Sequence, residues 1–242
     1  MHSEHSGLRP RRFWASRHRL NGLRRLALSL AAALVPMLGL ASSSSAAGSV
    51  AGGAYGLSAS VNALLAPLSV GAMPSVSLPP EGGGPFTESL LSGNVAGLAP
   101  MRVAEVGTEG NSGIGSAASS ATTLDVGLAG LVKVAAARSR CSARARSADG
   151  SASAVDLVVA GIPVSTVDAG PNTVVTLPVG RVIINEQRRT GDSRITVNAV
   201  HVILSAAVVS GDIVIAQSRC AVTGATRSRS KKLRRARRSA RS

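Results

Sequence analysis

In Ile195-Thr196-Val197-Asn198-Ala199-Val200-His201-Val202-Ile203-Leu204, apolar residues first alternate with polar ones and then become nearly continuous. Val, Ile and Thr predominate and no apolar stripe recurs at helical spacing, so the stretch predicts a β-strand. Alternation puts Ile195, Val197, Ala199, His201 and Ile203 on one side and Thr196, Asn198, Val200, Val202 and Leu204 on the other. The second side begins polar and ends apolar, so the strand is expected to become buried on both faces towards its C-terminal end.

The same alphabet extends in both directions. Asp212 to Cys220 reads as a following strand, and Arg189-Thr190-Gly191-Asp192-Ser193 as the preceding turn. Before that turn come Thr173 to Leu177 and Arg181 to Gln187, divided by Pro178 and Gly180. Val155 to Val159 is a short strand turned by Gly161-Ile162-Pro163, and Val132 to Arg146 is a longer run ended by Asp149-Gly150. Further upstream, Ala54 to Val61 alternates. Leu78 to Pro85, with three prolines and three glycines, reads as a loop, and Met101 to Val106 as a strand followed by a Gly/Ser-rich connection to Ser120. Strands broken by turn residues at intervals of about 8–12 positions predict an all-β fold, an antiparallel β-sandwich (or barrel-like) single domain with disordered termini.

Charge divides the chain into three parts. The formal net charge is +15, but seven basic residues and one acid lie in the first 47 positions and nine basic residues lie between Arg227 and Arg241. What remains has 11 basic and 11 acidic residues. Residues 1–47 read as a signal peptide: a basic start, an apolar run from Leu26 to Ala41, and small residues at Ser45 and Ala47 suited to cleavage after Ala47. That run is interrupted by Ser29 and Pro36 and is shorter than the roughly 20 residues a membrane span needs. Arg11-Arg12 and Arg24-Arg25 leave the general and the twin-arginine export routes both open. The mature chain is expected to be secreted, with no transmembrane span after cleavage, and to comprise a β domain over residues 48–222 and a disordered basic tail over residues 223–242. Phe13 and Trp14 leave with the leader, so Tyr55 and Phe86 are its only aromatic residues and aliphatic side chains must build the core.

Cys141 and Cys220 are the only cysteines, in the similar contexts Ala137-Arg138-Ser139-Arg140-Cys141 and Ala216-Gln217-Ser218-Arg219-Cys220. Export to an oxidising compartment predicts one disulfide between them. A metal site competes poorly, because His201 is the one histidine of the mature chain and structural zinc takes four ligands. No metal or cofactor is expected.

Several segments resemble the choice-of-anchor P proteins: Ala54-Tyr55-Gly56-Leu57-Ser58, Pro74-Ser75-Val76-Ser77-Leu78-Pro79-Pro80, Asn185-Glu186-Gln187, Thr196-Val197-Asn198-Ala199-Val200-His201-Val202, and Gly211-Asp212-Ile213-Val214-Ile215-Ala216. The resemblance spans about Gly53 to Val222. It implies a secreted or surface-attached protein of high-GC Gram-positive bacteria, from a group whose members end in differing anchoring devices and have no established catalytic residues. This chain departs from a sorting signal in having only the basic tail. Leu78-Pro79-Pro80-Glu81-Gly82 lacks the threonine of a sortase pentapeptide and lies near the mature N-terminus.

The tail residues Arg227, Arg229, Lys231, Lys232, Arg234, Arg235, Arg237, Arg238 and Arg241 are the candidate polyanion-binding residues. A single leucine gives them no apolar face, which argues against bilayer insertion, whereas adsorption to anionic cell-wall polymers or acidic lipids fits their charge. Without interleaved aromatics they offer no base stacking, so specific nucleic-acid binding is not expected. For catalysis, His201 could be a base, although a lone strand histidine is more often a half-buried structural residue, and Glu186 could pair with Asp212 or Asp168 as acid and base; equally, Glu186 could point outward and meet Arg188 or Arg194. The reading is an exported, envelope-associated structural or interaction protein without catalytic activity. The alternatives are a carbohydrate- or wall-polymer-binding module and an extracellular hydrolase.

Overall fold

β-Branched and small residues between Gly, Pro and Asp form strands throughout residues 48–63, 67–95 and 99–224, the part that the computed structural model describes. The first strands are β1 (Ser49–Ala63), β2 (Pro67–Ser77), β3 (Gly82–Leu90), β4 (Gly93–Val95), β5 (Ala99–Met101) and β6 (Val103–Asn111). Next come β7 (Ser116–Leu128), β8 (Val132–Arg144), β9 (Ser147–Val155), β10 (Leu157–Val159) and β11 (Ile162–Val164). The last are β12 (Thr173–Leu177), β13 (Gly180–Arg189), β14 (Arg194–Ala206) and β15 (Val209–Thr223). A six-stranded sheet has the order β12-β13-β14-β15-β1-β2. A seven-stranded sheet has the order β11-β10-β8-β7-β6-β3, with β9 also paired to β8, and β4-β5 form a separate ribbon. Pairing is antiparallel throughout, so the sandwich expected from the sequence is the architecture found. β1 pairs with β15, Ser49 opposite Thr223, so the pairing runs one residue past the expected domain end at 222.

The core lies between the sheets and is aliphatic. Leu57, Val61, Val106, Val134, Ile213 and Ile215 are fully buried in its main part. A second part gathers Ile195, Val197, Leu78 and Val222 around Cys141 and Cys220. These cysteines are bonded, with Cα atoms 5.9 Å apart, and tie β8 of one sheet to β15 of the other.

Three sequence expectations about boundaries are corrected. Gly82 to Pro85 is not loop but the start of β3; the positive φ of Gly82, Gly83 and Gly84 accommodates a register shift between Gly83 and Phe86. The Gly/Ser-rich stretch after Val106 is not a connection but a hairpin, because β6 runs on to Asn111 and β7 begins at Ser116. Asp149-Gly150 does not end the long run: the chain turns at Ala145-Arg146, and Gly150 sits within β9. A Cβ at Gly150 would collide with Val197 Cγ2, so the close approach of β14, not a turn, accounts for this glycine.

The faces of β14 also differ from simple alternation. Ile195 and Val197 point into the core around the disulfide, but Val200, Val202 and Leu204 point into the main core. Asn198 and His201, three residues apart, both reach Glu186 on the other side of the sheet. The phase therefore changes at Ala199. The cause lies in its neighbours: Asn185 of β13 and Ala216 of β15 flank Ala199 and both have a left-handed backbone, φ 51°. Gly56 of β1 continues this row beyond Ala216, where an added Cβ would stand 3.1 Å from Ala104 Cβ, closer than ordinary van der Waals contact. Along each strand the row separates an inward residue from an outward one two positions away: Ile184 from Glu186, Ile215 from Gln217, Leu57 from Tyr55. A left-handed residue other than glycine costs about 1–2 kcal/mol, so the rest of the sheet must hold Ala216 there.

Candidate functional site

Just beyond that row, β1, β13, β14 and β15 bring their polar residues together on the outer face of the six-stranded sheet. The register sets Tyr55 opposite Gln217, Gln217 opposite Asn198, and Asn198 opposite Glu186. At the centre is the Glu186 carboxylate, 5% exposed as a residue. Its Oε2 accepts from Asn198 Nδ2 at 2.6 Å and lies 2.9 Å from His201 Nδ1, while its Oε1 accepts from Arg188 Nε at 2.7 Å. His201, also buried, has its Nε2 3.0 Å from Asp212 Oδ1, and Gln217 Nε2 donates to Asn198 Oδ1 at 2.8 Å. Arg188 and Asp212 form the rim, each with 62% of its side chain exposed.

These contacts set the electrostatics. Burial alone would raise the Glu186 pKa, but the hydrogen bonds from Asn198 and Arg188 and the charges of His201 and Arg188 outweigh it and hold the carboxyl below its usual range. Burial raises the Tyr55 phenol above its ordinary value, and Arg219, Arg188 and Gln217 only partly offset this. Beside the network, Tyr55, Ser75, Ser77, Gln217 and Arg219 border a hollow of about 220 Å³.

Of the residues singled out in the sequence, Glu186, His201 and Asp212 meet, and Arg188 pairs with Glu186. Arg194 does not, and Asp168, in the turn before β12, makes no hydrogen bond to the network. The nine basic tail residues and the 1–47 leader lie outside the described residues. Sequence reasoning missed Asn198 and Gln217. The available signal was odd spacing: Asn198 and His201 cannot share a face of a regular strand, nor can Asp212 and Gln217.

Chemically, the arrangement neutralises buried charge. His201 Nδ1 lies 2.9 Å from Glu186 Oε2 and 3.4 Å from Arg188 Nη2, and Nε2 lies 3.0 Å from Asp212 Oδ1, so both ring nitrogens are engaged within the network. Among the described residues, no three His, Cys, Asp or Glu side chains are grouped to hold a metal ion. Comparison of the chain with protein-family models, curated proteins and solved structures finds no match in any of the three.

Proposed function

We propose that this protein is exported and acts at the cell envelope as a structural or interaction component, held there by its basic C-terminal segment. The observation that carries this reading is the partition of charge. The β domain has 11 basic and 11 acidic residues, and the segment from Arg227 to Arg241 has nine basic residues and no acid. Over the β domain as a whole the charges cancel, whereas nine clustered cations give a polyanion a hold of up to about 1 kcal/mol each near an anionic surface, screened by salt. The disulfide between the sheets supports an oxidising, extracellular setting. The resemblance to choice-of-anchor P proteins supports surface attachment, and the closed Glu186–His201–Asp212 network is better explained as structure than as a hydrolase centre. The hollow beside Tyr55 favours a second reading, a carbohydrate-binding module, because a half-buried aromatic ring borders Ser75, Ser77 and Gln217 there.

Salt extraction tests the retention. Full-length protein is expected to stay with producing cells at low salt and to come off at high salt, and a chain ending at Thr226 to come off at a lower salt concentration. Equal release of both chains at low salt would remove the basic segment from the account.

A further inference from the structure

The outer face of the seven-stranded sheet carries a second charged feature, independent of the basic C-terminal segment. The outward residues of β8 include Lys133, Arg138, Arg140 and Arg144, and β8 has no acid. The pairing of β7, β8 and β9 gives these arginines a repeated setting. Thr122, Arg138 and Ser153 lie side by side, as do Ser120, Arg140 and Ser151, and then Ser116, Arg144 and Ser147. Each arginine therefore stands between two hydroxyl residues. Arg138, Arg140 and Arg144 form no ion pair among the described residues, and Arg140 Nε is oriented by Ser151 Oγ at 3.1 Å. The first two rows line a groove of about 440 Å³.

We propose that this face binds a linear polyol-phosphate polymer, one phosphodiester to each hydroxyl–arginine–hydroxyl row. A guanidinium fork takes the two non-bridging oxygens of a phosphodiester, and the hydroxyls on either side can bond the remaining lone pairs of those oxygens or the hydroxyls of the polyol. Same-face residues of a strand are about 6.7 Å apart, so the Arg138 and Arg140 rows present anion positions at that spacing, with the Arg144 row two steps further on. The skipped row is Ala118, Ser142 and Asp149, where Asp149 lies 3.8 Å from Arg189. Glu105 and Glu109 of β6, one strand beyond β7, border the face and direct a polyanion along β8. β7, β8 and β9 contain no aromatic residue to stack a base, which favours a polyol over a nucleic-acid backbone.

The test is arginine modification by phenylglyoxal on the full-length chain, mapped by peptide mass, with and without poly(glycerol phosphate). Protection of Arg138, Arg140 and Arg144, with Arg102 and Arg181 unchanged, is the expected result. In an Arg138→Ala, Arg140→Ala variant, the polymer concentration that half-protects Arg144 should rise about tenfold. Polygalacturonate and single-stranded oligo(dT) at equal charge serve as comparisons. Protection confined to Arg227–Arg241 would overturn the proposal, since it would place all binding in the C-terminal segment. Equal or better protection by polygalacturonate or oligo(dT) would overturn the choice of polymer.

Discussion

A Cys141→Ser, Cys220→Ser variant is expected to lose about 4 kcal/mol of unfolding free energy, read as a lowered urea midpoint at neutral pH. The magnitude follows from a bond that spans 79 residues and so constrains the unfolded chain strongly. It also follows from location. The two sulfurs sit in the smaller part of the core, where Leu78, Ile195, Val50, Val197 and Val222 are the larger apolar side chains and alanines fill the rest. Fewer large aliphatic side chains gather there than in the main part, so the covalent link carries a larger share of the contact between the sheets. A midpoint unchanged by the substitutions would mean that packing between the sheets alone sets the stability.

The second large effect belongs to Glu186. Glu186→Gln keeps the shape of the side chain but removes the charge that Asn198, His201 and Arg188 converge on. A loss of about 2–3 kcal/mol at neutral pH is expected, in the range for hydrogen bonds to a buried charged group. Its pH dependence gives an independent check. Because the folded-state pKa of Glu186 lies below the value of 4.5 expected without the fold, its contribution is complete above that value and lost as pH falls through the folded one. Wild-type stability should therefore decline in acid below about pH 4.5, and the Glu186→Gln variant should decline less. Parallel acid limbs in urea titrations of the two proteins would assign the decline to other groups.

Much of the fold was legible because its turns carry strong chemical signals. Pro178, Gly161 and the Thr190–Ser193 segment all separate strands where the sequence says they should, and Gly180 opens β13. The same reasoning failed at Asp149-Gly150, where glycine answers to a neighbouring sheet and not to a turn, a reason invisible along the chain. The faces of β14 were legible only as far as Ala199. The phase change there depends on the backbone of Asn185 and Ala216 in the flanking strands, and an alanine with positive φ leaves no mark in composition.

The site was half legible for the same reason. Residue types alone picked out Glu186, His201 and Asp212 as candidates, but their meeting depends on the register of β13 with β14 and of β14 with β15. Asn198 and Gln217, which complete the network, are ordinary strand polar residues until that register is known. The hydroxyl–arginine rows on the other sheet were hidden likewise, since Thr122, Arg138 and Ser153 become neighbours only through strand pairing.

The most direct test of an exported, disulfide-linked envelope protein is the intact mass of the chain recovered from outside producing cells, measured before and after reduction. The account predicts a chain beginning at Gly48 that is lighter by two hydrogens before reduction than after it. A chain that retains residues 1–47 and has both cysteines open to alkylation without reductant would contradict it.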